Sequence, residues 1–453
     1  MKKSLSMVKA IIALLAMIMT TSVLAQQPEI QNYRPNNQTG INVFEPAKDL
    51  NTEFTGIKVR IGGNFTQQYQ SLSHSNDTTF AAIKGIDNEL YNLGPGFNNA
   101  AANLNIDVQL ADGIRLSLEN YMSSRDHTEF WVKGGYIQVD KLSMFENTNW
   151  YDKYLRVKIG HFQPNFGDQQ FRRTDNGNAI YNPFVGNYIM DAFTTEIGGE
   201  VYVFPADGFM LMAGLTSGLI KGDIKAYDNG KAKAPSIYLK IAYDKSYEND
   251  LRFRISGSFM ANQNSGRNTL YGGDRAGSRY YAVMEVAGAN LASAAFSGRW
   301  NPGFDNKINS IQINPFLKYK GLEFFGIYER ASGNKLTQVP DKEGYYEFIT
   351  DNERTVTQLG GEIVYRFLKR EQLYIGAKYN QINGQLNRNY IDTNGDFVES
   401  SINRFGIVAG WFATKNILLK AEYVQQQYKD FPNTERFYGG EFNGIVIEAV
   451  VGF

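Results

Sequence analysis

The chain has 453 residues, 46 Lys and Arg against 46 Asp and Glu, and no cysteine. A net charge of zero removes the electrostatic case for a nucleic-acid partner, and the missing thiols remove disulfide staples and cysteine metal sites. Beyond the amino terminus no run approaches the roughly 20 apolar residues of a membrane helix, although mean hydropathy is only −0.37.

Lys2, Lys3 and Lys9 form a basic start, an apolar run follows over 10–19, and Val23-Leu24-Ala25 fits a small-residue cleavage pattern. This is a secretory signal over residues 1–25, cut near Ala25, because the run is too short to span a bilayer. A polar, Asn-rich leader occupies 26–53.

From there the chain alternates. Ile57, Val59, Ile61 and Phe65 fall on one side, with Lys58, Arg60, Asn64 and Thr66 on the other. Leu104, Ile106, Val108 and Leu110 alternate with Asn103, Asn105, Asp107 and Gln109, and Ala111-Asp112-Gly113 then makes a tight turn. Period 2 is the signature of a strand with unlike faces. The spacing predicts strands near 54–70, 102–110, 114–124, 130–141, 154–162, 194–204, 209–217 and 235–244. Others follow near 251–262, 308–320, 322–330, 355–367, 372–383, 402–413, 416–428 and 440–453.

These strands number about sixteen, an even count suited to a single-chain barrel with both ends on one side. Short connections alternate with long ones at 71–101, 163–193, 218–234, 263–307, 331–354 and 384–401. That parity belongs to a transmembrane barrel with short periplasmic turns and long outer loops. Two connections fit it less well, 125–129 being short for an outer loop and 142–153 long for a turn. Tyr243, Tyr319, Tyr365 with Phe367, Trp411 and Phe453 close the apolar faces at one end, as an interfacial girdle would. Only every second residue need be apolar in such a wall, so mean hydropathy stays low. The expected fold is all-β: one antiparallel barrel over 54–453, in outer-membrane lipid.

The face opposite the apolar one carries the charges, which on a membrane wall are tolerable where they meet water. Lys58, Arg60, Arg115, Arg156, Lys158, Lys240, Arg252, Arg254, Lys318 and Arg366 all fall toward the periplasmic half, with Asp107, Asp140, Asp244 and Glu323 at similar depth. Two readings are open. The basic excess lines a water-filled lumen that favours small anions, or the charges pair across neighbouring strands and brace the wall. The connection at 163–193 either folds inward, placing Arg172 and Arg173 in a constriction, or is a surface loop with solvated arginines.

Gly160-His161-Phe162-Gln163-Pro164-Asn165-Phe166-Gly167 resembles the strand-to-loop segment of the phosphate-selective porin O and P family. Asn301-Pro302-Gly303-Phe304 and residues 314–326 (NPFLKYKGLEFFG) resemble its Bacteroidetes-type members. His161 stands where the family carries Lys, and Asn165 separates Pro164 from Phe166. The resemblance implies a sixteen-stranded, trimeric porin of the Gram-negative outer membrane passing small anions such as phosphate. The terminal strand, with Ile445, Ile447, Ala449, Val451 and Phe453 on one face, resembles the signal read by the barrel-assembly machinery.

Other motifs carry less. Asp392, Asn394 and Asp396 have the spacing of a calcium loop but lack its later Gly and Glu, so a turn in an outer loop is the simpler reading. His74, His127 and His161 have no zinc spacing, and no serine sits in a nucleophile motif. Nothing here points to catalysis or a cofactor. The alternative to a porin is a surface barrel whose outer loops bind a partner.

Overall fold

The computed structural model describes residues 27–46, 48, 52–85, 87–124, 130–218, 225–226, 230–248, 250–273, 281, 283–290, 298–340, 346–386, 391 and 395–453. Alternating side chains give it eighteen strands, in chain order: β1 (Lys58–Ser75), β2 (Gly96–Ala111), β3 (Ile114–Ser123), β4 (Trp131–Val139), β5 (Leu155–Phe162) and β6 (Glu196–Val203). The middle of the chain forms β7 (Phe209–Thr216), β8 (Ser236–Tyr247), β9 (Leu251–Asn262), β10 (Lys307–Tyr319), β11 (Leu322–Asn334), β12 (Leu336–Pro340) and β13 (Tyr346–Thr350). The last are β14 (Arg354–Phe367), β15 (Leu373–Gly384), β16 (Ser400–Thr414), β17 (Ile417–Lys429) and β18 (Glu441–Gly452).

Sixteen of them form one closed antiparallel barrel in simple up-and-down order. Each of the sixteen expected strands corresponds to one barrel strand. The remaining two, β12 and β13, form a separate hairpin within the loop-end connection between β11 and β14, which periodicity did not reveal. Closure joins β1 to β18, with Asn64 opposite Gly452 and Ser75 opposite Glu441. Phe453 completes the seam by exchanging hydrogen bonds with Gly63, at 3.0 and 3.1 Å. Closing the sheet leaves no unpaired edge, which a wall in hydrocarbon requires.

The parity of connections holds. Both ends of the barrel chain and the short turns share one rim, the turn end; the long connections share the other, the loop end. The length of 142–153 at the turn end is explained by a helix at Asn149–Tyr154, while 125–129 lies outside the described residues.

Burial follows the sequence alternation, strictly so along β7 and β17. Outward-facing Ile241, Ile363, Ile375, Ile407 and Ile447 are each about half exposed, while inward-facing Lys240, Glu362, Lys420 and Glu448 are buried. Tyr319, Tyr365, Trp411 and Phe453 are also half exposed and outward, and Tyr365 stacks on Phe367 at 6.1 Å. Among the described residues no helix is long and apolar enough to cross a membrane. A continuous apolar belt around a closed cylinder meets that need with strands.

Toward the loop end the interior becomes apolar. Tyr238, Met260, Ile308, Val356, Ile402 and Phe442 point inward and pack with Leu270, Tyr271, Tyr281, Met284, Phe304, Phe431 and Phe437 of the long connections.

Ile407, midway along β16 and half exposed, tests the outward belt. Ile407→Arg should lower the unfolding free energy in lipid vesicles by about 2–4 kcal/mol, measured by guanidinium titration. An unchanged midpoint would place that face away from hydrocarbon.

Candidate functional site

The lumen is where the chain's unused polarity converges. Two segments without strand structure cross it: the leader and the connection at 163–195. Each brings backbone N–H and C=O groups out of bulk water, and such groups need partners. The inward-facing polar residues of the wall supply them.

The loop at 163–195 folds inward. Asn165 N–H donates to Glu200 Oε1 at 2.6 Å, Gly167 N–H to Ser258 Oγ at 3.0 Å and Asp168 N–H to Asn314 Oδ1 at 2.8 Å. The chain then reaches the opposite wall, where Gly177 N–H donates to Asn103 Oδ1 at 2.7 Å. Lys420 Nζ caps the carbonyls of Asn182 and Phe184 at 2.8 Å each, and Gly186 N–H donates to Glu422 Oε2 at 3.0 Å. On the return, Ile189 and Met190 donate to Asn380 and Gln358 at 2.6 and 2.9 Å. Wall glycines make room: a Cβ on Gly360 would sit 2.7 Å from the Tyr188 ring. The segment thus runs inside the barrel, bonded to wall strands on both sides.

The leader lies inside the same end as the short turns. Gln31, Asn32, Asn36, Asn42 and Phe44 are buried. Arg34 lies flat on Tyr181, 3.6 Å from the ring centroid, and donates to the carbonyls of Gly40 and Phe171 at 2.9 and 2.7 Å. Burial pushes its guanidinium down to about 10, helped by the charge of Arg172, so it stays protonated at neutral pH.

All the sequence-predicted wall cations face inward, and ten of the twelve predicted cations have carboxylates within 4 Å. Arg115 pairs with Asp107 at 3.3 Å, Arg156 with Asp140 at 2.7 Å and Lys158 with Glu200 at 3.7 Å. Lys240 meets Glu45 and Asp168, both at 2.8 Å, and Arg254 meets the same two carboxylates at 2.6 and 2.7 Å. Arg252 pairs with Asp244 at 2.6 Å, Lys318 with Glu371 at 2.8 Å and Arg366 with Glu323 at 2.8 Å. Lys58 donates to the Glu29 carbonyl at 3.2 Å, and Arg60 lies over the Tyr33 ring at 4.8 Å.

Arg172 and Arg173 ride on the inward loop but do not line an open passage. Arg172 lies between Glu323 and Glu362, at 3.6 and 3.5 Å, and also bonds Asn42. Arg173 holds Asp191 at 2.6 Å and Asp175 at 3.6 Å. The water-filled lumen expected from the sequence is therefore largely replaced by packed chain. The wall charges tolerate their position through ion pairs as well as through water, because the polar segments inside bring carboxylates to them.

Space remains on one side. A chamber of about 260 Å³ lies between the wall of β2–β6 and the two inner segments. Arg34, Arg115, Lys133, Arg156 and Lys158 line it against Glu45, Asp107, Glu119 and Asp175, with Tyr33, Tyr136, Phe162, Tyr181 and Tyr202 between them. A second space of about 740 Å³ opens at the turn end, lined by Lys48, Lys153, Asp207, Asp244, Arg252 and Arg254. Phe44 and Glu45 of the leader border both.

Arg34 and Lys133 were missed by sequence reasoning, the first because the leader had no assigned place. Lys133 sits at a register shift between β3 and β4, which breaks the alternation that would have marked it. Lys133 bonds Glu119 at 2.9 Å and also Asp175. Of the calcium candidates, Asp392 and Asn394 lie outside the described residues; among those described, no three His, Asp or Glu side chains cluster to hold a metal.

No family model matches the chain, and no curated protein sequence matches it. Among solved structures it is similar to an anion-selective porin from Comamonas acidovorans, with a TM-score of 0.50 and 11% identity over 88% of this chain and 100% of that one. It is also similar to the outer membrane channel DcaP of Acinetobacter baumannii, with a TM-score of 0.50 and 13% identity over 89% of this chain and 99% of that one. At these identities the likeness is one of fold: this chain has the barrel architecture of outer-membrane porins and channels.

Two outcomes test the packed interior. Glu323 is buried among Arg172, Arg366 and Lys318, so Glu323→Gln should cost about 3 kcal/mol. Glu371→Gln, at a half-exposed pair, should cost under about 1 kcal/mol. Equal guanidinium midpoints for the two variants would contradict the assigned burial. The second outcome concerns pH. Burial alone would raise the Asp168 and Glu45 carboxyls, but Arg254 and Lys240 reverse that and hold both below the ordinary range. Their stabilisation is thus fully present above the unfolded-state value of about 4 and is lost only as pH falls through the lower folded values. The stability lost in a Glu45→Gln variant should therefore stay constant from neutrality to about pH 4, read from guanidinium midpoints of variant and parent; a loss that already shrinks well above that would contradict the pairing.

Proposed function

We propose that this chain is a porin of the Gram-negative outer membrane, giving passive diffusion to small hydrophilic solutes, with anions such as phosphate favoured. The observation that carries this reading is the segregation of the wall: an apolar belt outside, and inside a polar chamber with five cations against four carboxylates.

Solutes reach the chamber, in this reading, along the β2–β6 side, where the inner segments leave space. Arg115, Arg156 and Lys158 are the anion-attracting residues of the predicted set that line it, and Arg252 and Arg254 serve the turn-end vestibule. Lys58, Arg60 and Lys240 contribute to the field while holding the inner segments, Arg172 and Arg173 from within the loop, and Lys318 and Arg366 while paired with Glu323. A ring of such groups in a narrow passage biases the permeant ion. The single excess cation argues for a modest preference.

The remaining assignments share this footing. Residues 1–25 act as the export signal, leaving a mature chain that begins near Gln26. The last strand, ending in Phe453, is the segment offered to the barrel-assembly machinery, and three copies associate in the membrane. The short segments 160–167 and 314–326 are the basis for placing the chain with the phosphate-selective porin O and P family. A second reading, a surface barrel that binds a partner through its outer loops, is favoured by the apolar packing that fills the loop end.

Planar-bilayer recording separates the two. A porin gives discrete conductance steps, and a tenfold KCl gradient gives a reversal potential of anionic sign. Lys158→Gln, whose ammonium faces the chamber beside Tyr136 and Phe162, should lower the anion-to-cation permeability ratio about two-fold with little loss of conductance. Absent steps would favour the binding barrel, and cation preference would overturn the anion assignment.

A further inference from the structure

We propose that residues 30–46 of the leader, with Lys48, form an internal collar that sets the aperture of the turn end, with Phe44 and Glu45 as the residues a solute must pass. The inference rests on the channel reading above and adds to it the part of the chain that controls passage.

The contacts of this segment follow the order of the strands around the barrel. Gln31 joins the β2–β3 turn, its N–H donating to Gln109 Oε1 and its amide to Asp112 Oδ1, both at 2.9 Å. Asn36 lies against the β1–β18 seam, where a Cβ on Gly452 would come within 2.1 Å of its carbonyl. Gln38 reaches the next two turns, donating to the carbonyls of Lys415 and Arg370 at 2.8 Å each. Asn42 then donates to Glu323 on β11 at 2.7 Å and accepts from Arg252 on β9 at 2.8 Å. Phe44 packs edge-on against Phe316 of β10 at 5.3 Å. Glu45 ties β8 and β9 through Lys240 and Arg254. The Pro46 carbonyl accepts from Arg156 of β5 at 2.6 Å, and Lys48 donates to the Asp140 carbonyl beyond β4 at 2.5 Å.

These eighteen described positions thus make nearly one circuit inside the rim, tied at intervals to turns or wall strands. It contains a single three-residue 3-10 turn, Gln38–Gly40, so its course is imposed by those ties and not by its own secondary structure. A tether that only anchored the amino terminus would need one or two such contacts. The course of the segment bears on passage, because Phe44 and Glu45 are the two residues that line both the chamber and the vestibule. A solute moving between them goes past this pair. Phe44 supplies bulk, buried against Phe316 and under the Arg254 guanidinium at 4.3 Å, and Glu45 fixes the segment by its two ion pairs.

Two variants test the collar, recorded beside the parent chain in planar bilayers and in liposomes swelling in neutral sugars of graded size. One carries Phe44→Ala with Glu45→Gln; the other has residues 27–46 excised. The collar predicts a conductance rise of about two-fold or more and a larger sugar cut-off in the double variant, and a greater increase in the excised chain. Should excision prevent folding, the double variant alone decides. A silent parent with conducting variants also supports the collar, as a closed one. A conducting parent whose variants keep its conductance and cut-off would overturn the collar and leave the channel intact. Silence from the parent and both variants would overturn the channel reading itself, and the collar with it.

Discussion

A closed barrel that carries irregular chain inside must satisfy that chain's backbone, and this requirement organises the molecule. Helices and sheets satisfy their own N–H and C=O groups; the leader and the 163–195 loop do so only in part, at short turns such as Gln38–Gly40 and Gln169–Phe171. The groups left over inside the lumen need side chains from the wall or from each other. Glu422, Lys420, Asn380, Gln358, Asn314 and Ser258 come from six positions on five wall strands, and each bonds the backbone of the same loop. The inward face of the barrel is polar for this reason as much as for any contact with solute.

The same constraint explains the charges. Removing one partner of a buried ion pair is costly, whereas a compensated pair is tolerated. Glu45 of the leader and Asp168 of the loop both meet Lys240 and Arg254 of the wall. One four-residue cluster therefore joins three separate parts of the chain. Such pairing tempers the field of the lumen. If the barrel conducts as proposed, selectivity and stability would draw on the same residues, and substitutions here would act on both.

Much of the fold could be read from period 2. The sixteen barrel strands, the parity of turns and loops, and the outward girdle of Tyr319, Tyr365, Trp411 and Phe453 all follow from residue-by-residue alternation, which a lipid wall enforces. The interior was less legible. An Asn-rich leader looks the same whether water or a polar lumen surrounds it, because both satisfy amides. Lys240 and Glu45 lie almost two hundred positions apart, and no local pattern announces their meeting. For Arg172 and Arg173 the sequence leaves an inward loop and a surface loop both open, and in neither case does it reveal that their guanidinium groups turn to Glu323, Glu362 and Asp191. The β12–β13 hairpin escaped notice because it lies outside the wall, where nothing enforces alternation.

Everything rests on unlike faces of one wall, with lipid outside and packed polar chain within. Tryptophan scanning of β18 with brominated lipids probes this directly, since bromine quenches only indoles that touch acyl chains. Single replacements at Ile445, Ile447 and Val451 should be quenched strongly, and replacements at the intervening Val446 and Val450 should not. Uniform quenching along the strand, or none at all, would contradict the account.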